Sequence, residues 1–238
     1  MITKTKPRKW TKDDIADLKS LKAKKVNIKT IAFILERSEA AINIKWKRLH
    51  KKDNTYNQKH VKDKYETNVK FLNKIKPITV LDLYAGEKSF YLSQGGMIIT
   101  TNDIEEKYHN IYKNDALKTL CLLYYQNEKF DLVDLDPFGS AYDCFDLAIK
   151  TAKKGLIITY GELGHKRWKR LDFVERYYNI KTLKEFNILN LIKHTQAIGI
   201  KNKKVLTPLF IKEWQNIARV YYKIDKYKVD VWGNNGSK

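Results

Sequence analysis

FDLVDLDPFGS, residues 130–140, carries a short apolar run directly into Asp136, Pro137 and Phe138. A run of that length and composition suits a buried strand, and the Pro and Gly that follow end it in a turn. The strand thus delivers an acid and an aromatic ring to its carboxyl edge. The same grammar recurs on either side. Residues 79–84, 97–102 and 156–160 are short apolar runs separated by helical stretches, which implies βαβ units and a parallel sheet with its ligands at the carboxyl ends of the strands. Residues 205–214 and 217–224 read as two more strands joined by Gln215 and Asn216, an antiparallel hairpin in which Pro208 must lie at an edge or an irregularity. The expected fold class is α/β, a mostly parallel, Rossmann-like sheet closed by a C-terminal β-hairpin.

The acids before FDLVDLDPFGS are ordered along the chain. VLDLYAG (80–86) puts Asp82 and Gly86 where the first strand turns, TTNDIEE (100–106) puts Asp103 at the end of the second, and KNDAL (113–117) adds Asp115. Gly at such a turn lets backbone approach a ligand closely, and an acid about 20 residues further on can accept ribose hydroxyls. This layout resembles the class I S-adenosylmethionine (SAM) methyltransferases. The resemblance is strongest to the tRNA guanine-N2 dimethyltransferase family, through VLDLYAG, NDIEEKYHNIYKNDA (102–116), DLDPFGS (134–140) and LTPLFIKEWQNIARVYYKI (206–224), that is, most of residues 79–224. It implies SAM as the cofactor, held by Asp82, Tyr84, Gly86, Asp103, Ile104, Asp115 and Ala116. It also implies a catalytic set of Asp136, Pro137 and Phe138. An exocyclic amine conjugated to a base is a poor nucleophile. Asp136 and the Pro137 carbonyl can accept its two N–H bonds and aim its lone pair, while Phe138 stacks on the base. Lys88 departs from the pattern, standing where a D-x-x-x-G-x-G turn has its second glycine.

The charge is uneven. The 238 residues carry 47 Lys and Arg against 27 Asp and Glu, a formal net charge of +20. Residues 1–76 hold 22 basic and 8 acidic side chains, and residues 77–238 hold 25 and 19. A field of that sign attracts a polyanion, because each phosphate contact releases counterions. Within the basic third, Thr11 before Asp13 and Asp14 caps a helix carrying Ile15, Leu18 and Leu21. Asn27 caps a second helix over 28–35 with an Ile31, Ile34, Leu35 stripe, and Ser38 caps a third from Glu39 to about His50 with Ile42, Trp46 and Leu49 inward. Three helices with a tight turn before a basic third helix is a helix-turn-helix plan. The run RKWTKDDIADLKSLKAKKVNIKTIAFILERSEAAINIKWKRL (8–49) resembles Myb/SANT-like modules. The expected domains are a helix-turn-helix over 1–52, a basic linker turning into a helix over 53–76, and the methyltransferase over 77–238.

Asn43, Lys47, Arg48 and Lys51 on the third helix are the expected nucleic-acid contacts. A second basic cluster after the fifth element, Lys166, Arg167, Trp168 and Arg170, is expected to hold phosphate and stack on a base. With the helix-turn-helix in view, the expected partner is DNA and the expected target the N6 of adenine, flipped from the duplex. Guanine N2 in tRNA is the alternative that the resemblance implies, and a DNA-binding regulator with a vestigial methyltransferase domain is a second. Cys121 and Cys144 lie in apolar surroundings with no metal-ligand spacing and read as buried thiols, so no metal is expected. No apolar run approaches the roughly 18 residues of a membrane span, and the start has no leader-like segment, which predicts a cytoplasmic protein with no membrane partner.

Overall fold

The structure, a computed structural model, describes residues 9–49, 58–168 and 171–228 and divides the chain into two units, Met1–Asn57 and Gln58–Lys238. The first unit contains α1 (Lys12–Ala23), α2 (Ile28–Ile34) and α3 (Glu39–Leu49). α1 opens on a capping box in which Thr11 and Asp14 exchange side-chain bonds of 3.0 Å with each other's backbone N–H. Asp14 also takes the Arg37 guanidinium at 2.8 Å, and that guanidinium lies 4.3 Å over the Trp10 ring, which ties the turn after α2 to the start of the unit. Leu18, Ile31, Ala32, Leu35 and Ile42 form the small core, with Trp46 and Leu49 packed against it. Ile34, expected inside, is half-exposed at the end of α2, where the helix is too short to turn it inward.

The second unit begins earlier than the sequence suggests. The segment read as a basic linker turning into a helix contains α4 (Gln58–Ile75), which buries Phe71 and Leu72 against the sheet. The domain boundary therefore falls at 57/58 and not at 76/77. Six strands follow, β1 (Thr79–Asp82), β2 (Ile98–Thr101), β3 (Phe130–Leu135), β4 (Ala152–Tyr160), β5 (Lys204–Glu213) and β6 (Ala218–Lys226), in the order β2-β1-β3-β4-β6-β5. β1 to β4 pair in parallel, and β6 and β5 complete the sheet antiparallel. Pro208 sits on the edge strand beside a register shift, where its missing N–H is harmless. A fourth parallel pairing beyond β2 is reduced to the single bridge Asn102–Tyr112. The helices α5 (Ala116–Tyr125), α6 (Phe145–Thr151), α7 (Asp172–Tyr178) and α8 (Ile188–Lys201) complete the unit, and the larger core includes residues of all four.

Alternation along the strands explains what lies at the carboxyl edge. Val80, Leu132, Ile157 and Tyr221 share the sheet face covered by α4 and pack with Phe71 and Leu72. Two residues further along each strand the same face carries Asp82, Asp134, Thr159 and, because β6 runs backwards, Arg219. Asp82 stands beside Asp134 in register, and Thr159 beside Arg219. One apolar row is thus followed by one polar row at the switch point between β1 and β3, where the strand order reverses.

Candidate active site

The polar row is a buried charge cluster. Arg219, 1% exposed, donates from Nη2 to Asp134 Oδ2 at 2.6 Å and lies with Nη1 3.1 Å from Asp136 Oδ1. Nη1 also donates to Thr159 Oγ1 at 2.6 Å, and that hydroxyl donates onward to Asp136 Oδ1 at 2.6 Å. Tyr91 donates its phenol to Asp134 Oδ2 at 2.5 Å, and Ser89 donates to Asp82 Oδ2 at 2.7 Å. Lys64, reaching over from α4, donates to Asp136 Oδ2. Burial by itself would raise the Asp136 carboxyl, but Arg219 and Lys64 overrule it and hold the group well below the usual carboxylate range. For Asp82 burial wins, assisted by the charge of Asp134, and pushes its pKa up to about 7. With Asp82 protonated, the cluster sets the two carboxylates of Asp134 and Asp136 against the two cations Arg219 and Lys64. The sequence reading missed Arg219 and Lys64. The available signal was an Arg inside the apolar strand ARVYY together with an Asp inside FDLVDL, opposite charges in buried strands that can persist only as a pair.

The loop after β3 is held from behind. Ser140 Oγ donates to Glu162 Oε1 at 2.6 Å and accepts the Tyr142 N–H at 3.0 Å, while Tyr178 donates to the same Glu162 oxygen at 2.8 Å. Burial raises the Glu162 carboxyl, against the bonds from Ser140 and Tyr178. A Cβ on Gly161 would stand 2.3 Å from the Gly139 carbonyl oxygen, so the two backbones touch there and only glycine fits. Anchored this way, the loop presents Phe138 wholly to solvent, at 104% relative exposure, beside the part-exposed Asp136. A ring displayed at such a cost in apolar exposure has a free face for a planar partner.

The expected cofactor residues gather at the neighbouring strand ends. Gly86 takes a left-handed φ of 61°, with open space where a side chain would start. Asp103 accepts the Gly86 N–H through Oδ2 and the Glu105 N–H through Oδ1, both at 2.9 Å, and so joins the two turns. Buried Asn102 locks the frame by donating to the Leu83 and Asn114 carbonyls at 3.0 and 3.1 Å and accepting from Thr119 at 2.8 Å. It too was missed by the sequence reading, although an Asn closing a strand is a recognisable place for a buried amide. Asp115 is the exposed N-cap of α5, accepting from Leu117 and Lys118, with Ala116 buried behind it. Ile104 is exposed, and Tyr84 is half-buried with its hydroxyl 3.8 Å from Cys144 Sγ. Asp82 sits deeper than the other expected cofactor residues. It lies beneath the turn, 6% exposed and bonded to Ser89, and supports the loop from inside. Lys88 is exposed, and the turn closes on Gly86 alone.

Of the expected nucleic-acid contacts, Asn43, Lys47, Arg48 and Lys166 are exposed, while Lys51 and Arg170 and the side chains of Arg167 and Trp168 lie outside the described residues. Cys144 is buried, its thiol pushed up to about 11 by burial, but Cys121 is exposed, contrary to expectation, on the outer face of α5. Among the described residues no helix is long and apolar enough to cross a membrane.

Residues 96–233 match the family model of the N2,N2-dimethylguanosine tRNA methyltransferases. A curated relative, the tRNA (guanine(26)-N(2))-dimethyltransferase of Methanosphaerula palustris, is 30% identical over 104 residues, which cover 42% of this chain and 28% of that protein. Among solved structures, Trm1 from Pyrococcus horikoshii in complex with S-adenosyl-L-methionine aligns with a TM-score of 0.58 at 18% identity, over 68% of this chain and 54% of that one. The chain therefore spans about a quarter to a half of the length of these relatives. These matches overturn the expectation of DNA and adenine N6, which rested on the three helices at the front and not on the residues of the site. The fold is that of the class I methyltransferases, and the chain belongs to the N2,N2-dimethylguanosine tRNA methyltransferase family.

Proposed function

We propose that this member of the N2,N2-dimethylguanosine tRNA methyltransferase family transfers methyl groups from SAM to the exocyclic N2 of a guanine in tRNA. The observation that carries the reading is the pairing, at the switch point of the sheet, of an ionised Asp136 with a fully exposed Phe138. The residues present suit the cofactor. The open approach at Gly86 admits a ligand against backbone, and Asp103, with one N–H on each oxygen, keeps lone pairs for a ribose diol. When bound, SAM supplies an electrophilic methyl on a sulfonium sulfur.

Phe138 stacks on the guanine, and Asp136 Oδ2 with the Pro137 carbonyl accepts the two N–H bonds of N2, so that the nitrogen lone pair is directed at the methyl carbon. As the C–N bond forms, the C–S bond breaks, the electron pair passes to sulfur, and one N2 proton leaves to solvent. Asp136 is held too acidic to keep that proton, so its part is orientation and electrostatic stabilisation of the positive charge growing on nitrogen. The exposed Asn43, Lys47 and Arg48 of α3 supply phosphate contacts to the RNA.

Incubation with radiolabelled SAM and a tRNA pool, followed by nucleoside digestion and mass spectrometry, tests the reading. N2-methylguanosine and N2,N2-dimethylguanosine are the expected products, lost in Asp136→Ala, which retains SAM affinity by calorimetry. Label in any other nucleoside, or none, refutes it.

A further inference from the structure

The two oxygens of Asp136 are held in different ways. Oδ1 is committed to the interior, bonded to Thr159 at 2.6 Å with Arg219 at 3.1 Å. Among the described residues Oδ2 meets Lys64 alone, and Lys64 comes from a helix outside the strand-end motifs. The backbone that carries Lys64 is pinned on both sides. Asp63 pairs with Lys212 at 2.7 Å, and Tyr221 donates to Asn68 at 2.9 Å and to the Lys64 carbonyl at 3.4 Å. The Lys64 side chain is 28% exposed, against 80% for Lys62 two residues earlier, so it is folded onto the cluster and does not wave in solvent.

We infer that Lys64 is a positioning residue for methyl transfer, one that fixes the direction in which Asp136 Oδ2 accepts the target amine. This rests on the function proposed above. A carboxylate oxygen has two lone pairs. An ammonium seated on one of them leaves the other pointing to the open side, where Phe138 stands exposed. The incoming amine is a nitrogen donor of the same kind as the ammonium, and it finds an acceptor already turned to meet it. Without Lys64, Oδ2 loses its own restraint, the carboxylate can tilt about the oxygen held by Thr159 and Arg219, and water takes the lone pair that the ammonium filled.

Two measurements test this. In the free protein, acylation by an N-hydroxysuccinimide ester, read by peptide mass spectrometry, should label Lys64 several-fold more slowly than Lys62, and Asp136→Asn should remove most of the difference. Equal rates in the wild-type protein would overturn the pairing, whatever the substrate proves to be. In single turnover with tRNA, Lys64→Met should lower the rate on the order of tenfold, the scale of a small misdirection of a reacting group. SAM affinity should not change, and Lys64→Arg should restore most of the rate. The double variant Lys64→Met, Asp136→Asn should be no slower than Asp136→Asn alone, because Lys64 acts through that carboxylate. Additive losses, or a wild-type rate in Lys64→Met, would refute the role. A wild-type chain that methylates no guanine would instead refute the proposed function, and the acylation result would still decide the pairing.

Discussion

Gly161→Ala is the sharpest test of how the loop bearing Phe138 is held. The new Cβ would lie 2.3 Å from the Gly139 carbonyl oxygen, 2.9 Å from its carbon and 3.1 Å from its Cα, all backbone atoms that cannot rotate aside. The optimal separation for such atoms is about 3.5 Å, so the loop must retreat by roughly 1 Å. Gly161 does not occupy the left-handed region, so the backbone accepts alanine without strain, and the reduced freedom of the unfolded chain even favours it by about 0.4 to 1 kcal/mol. Any loss is therefore the collision itself, an overpacking penalty of about 1 to 3 kcal/mol. A domain of this size converts each kcal/mol into roughly 2 to 4 °C of Tm. The functional effect should be larger, because a displacement of about 1 Å at the reacting group costs on the order of a hundredfold in rate. Single-turnover transfer to tRNA should fall by that order while SAM affinity by calorimetry stays within about threefold, since the turn at Gly86 and Asp103 lies on other strand ends. Gly139→Ala is the control for stability, because its Cβ meets nothing within 4 Å and the Tm should not move. A Gly161→Ala protein with the wild-type rate would refute the claim that this backbone contact places Phe138.

Arg219→Met should destabilise the second unit by about 3 to 5 kcal/mol, the penalty for leaving buried carboxylates without their cation, and urea unfolding reads it directly; a change below about 1 kcal/mol would mean that Lys64 and Tyr91 suffice. Asp82 provides a pH signature. Its folded pKa is raised to about 7 above an unfolded value near 4, so its contribution is complete below about pH 4 and is lost as the pH climbs through 7, at a slope of at most about 1.4 kcal/mol per pH unit. Asp82→Asn removes that slope, so its Tm relative to wild type should rise between pH 5 and pH 8, whereas a constant offset would show that Asp82 is ionised throughout. The double substitution Lys47→Ala, Arg48→Ala should weaken tRNA binding and flatten the logarithmic salt dependence by about two phosphate contacts; an unchanged slope would take α3 out of the RNA interface.

The strands were legible because each is a short apolar run closed by a turn signal, and all six lie within two or three residues of where periodicity puts them, apart from the early start of β4 at Ala152. The loops at their carboxyl ends were legible because Gly86 and the Pro-Phe-Gly turn have few other uses. α4 was less so. Its polar residues outnumber its apolar ones and its core contribution is mainly Phe71 and Leu72, so the sequence showed a helix here but not that it packs on the sheet as part of the second unit. The partners of Asp136 were barely legible, since beyond the Arg inside ARVYY nothing in the sequence marks them. Lys64 is 72 positions away and reaches Asp136 because α4 packs across the sheet, and Arg219 lies on a strand from the far hairpin that the sheet order sets antiparallel between β4 and β5. Asp82 was legible as a residue of the first turn but its burial was not, because alternation turns it inward beside Asp134, where burial raises its carboxyl.

This arrangement bears on why a buried charge cluster persists next to the reacting edge when an apolar one of the same volume would often be as stable or more so. Methyl transfer to a conjugated amine needs an acceptor that is ionised, fixed in direction and poor at keeping a proton. A lone aspartate at the rim would meet the first requirement only. Asp136 meets all three because Arg219 and Thr159 fix one oxygen, Lys64 holds the other, and the two cations keep its pKa low despite burial. Burial and the neighbouring charge of Asp134 raise the pKa of the Asp82 carboxyl to about 7, which eases the crowding of three acids beside two cations. Asp82, Asp134, Asp136, Arg219 and Lys64 therefore form one electrostatic unit at the strand ends, in which the acids and the cations shift one another's protonation.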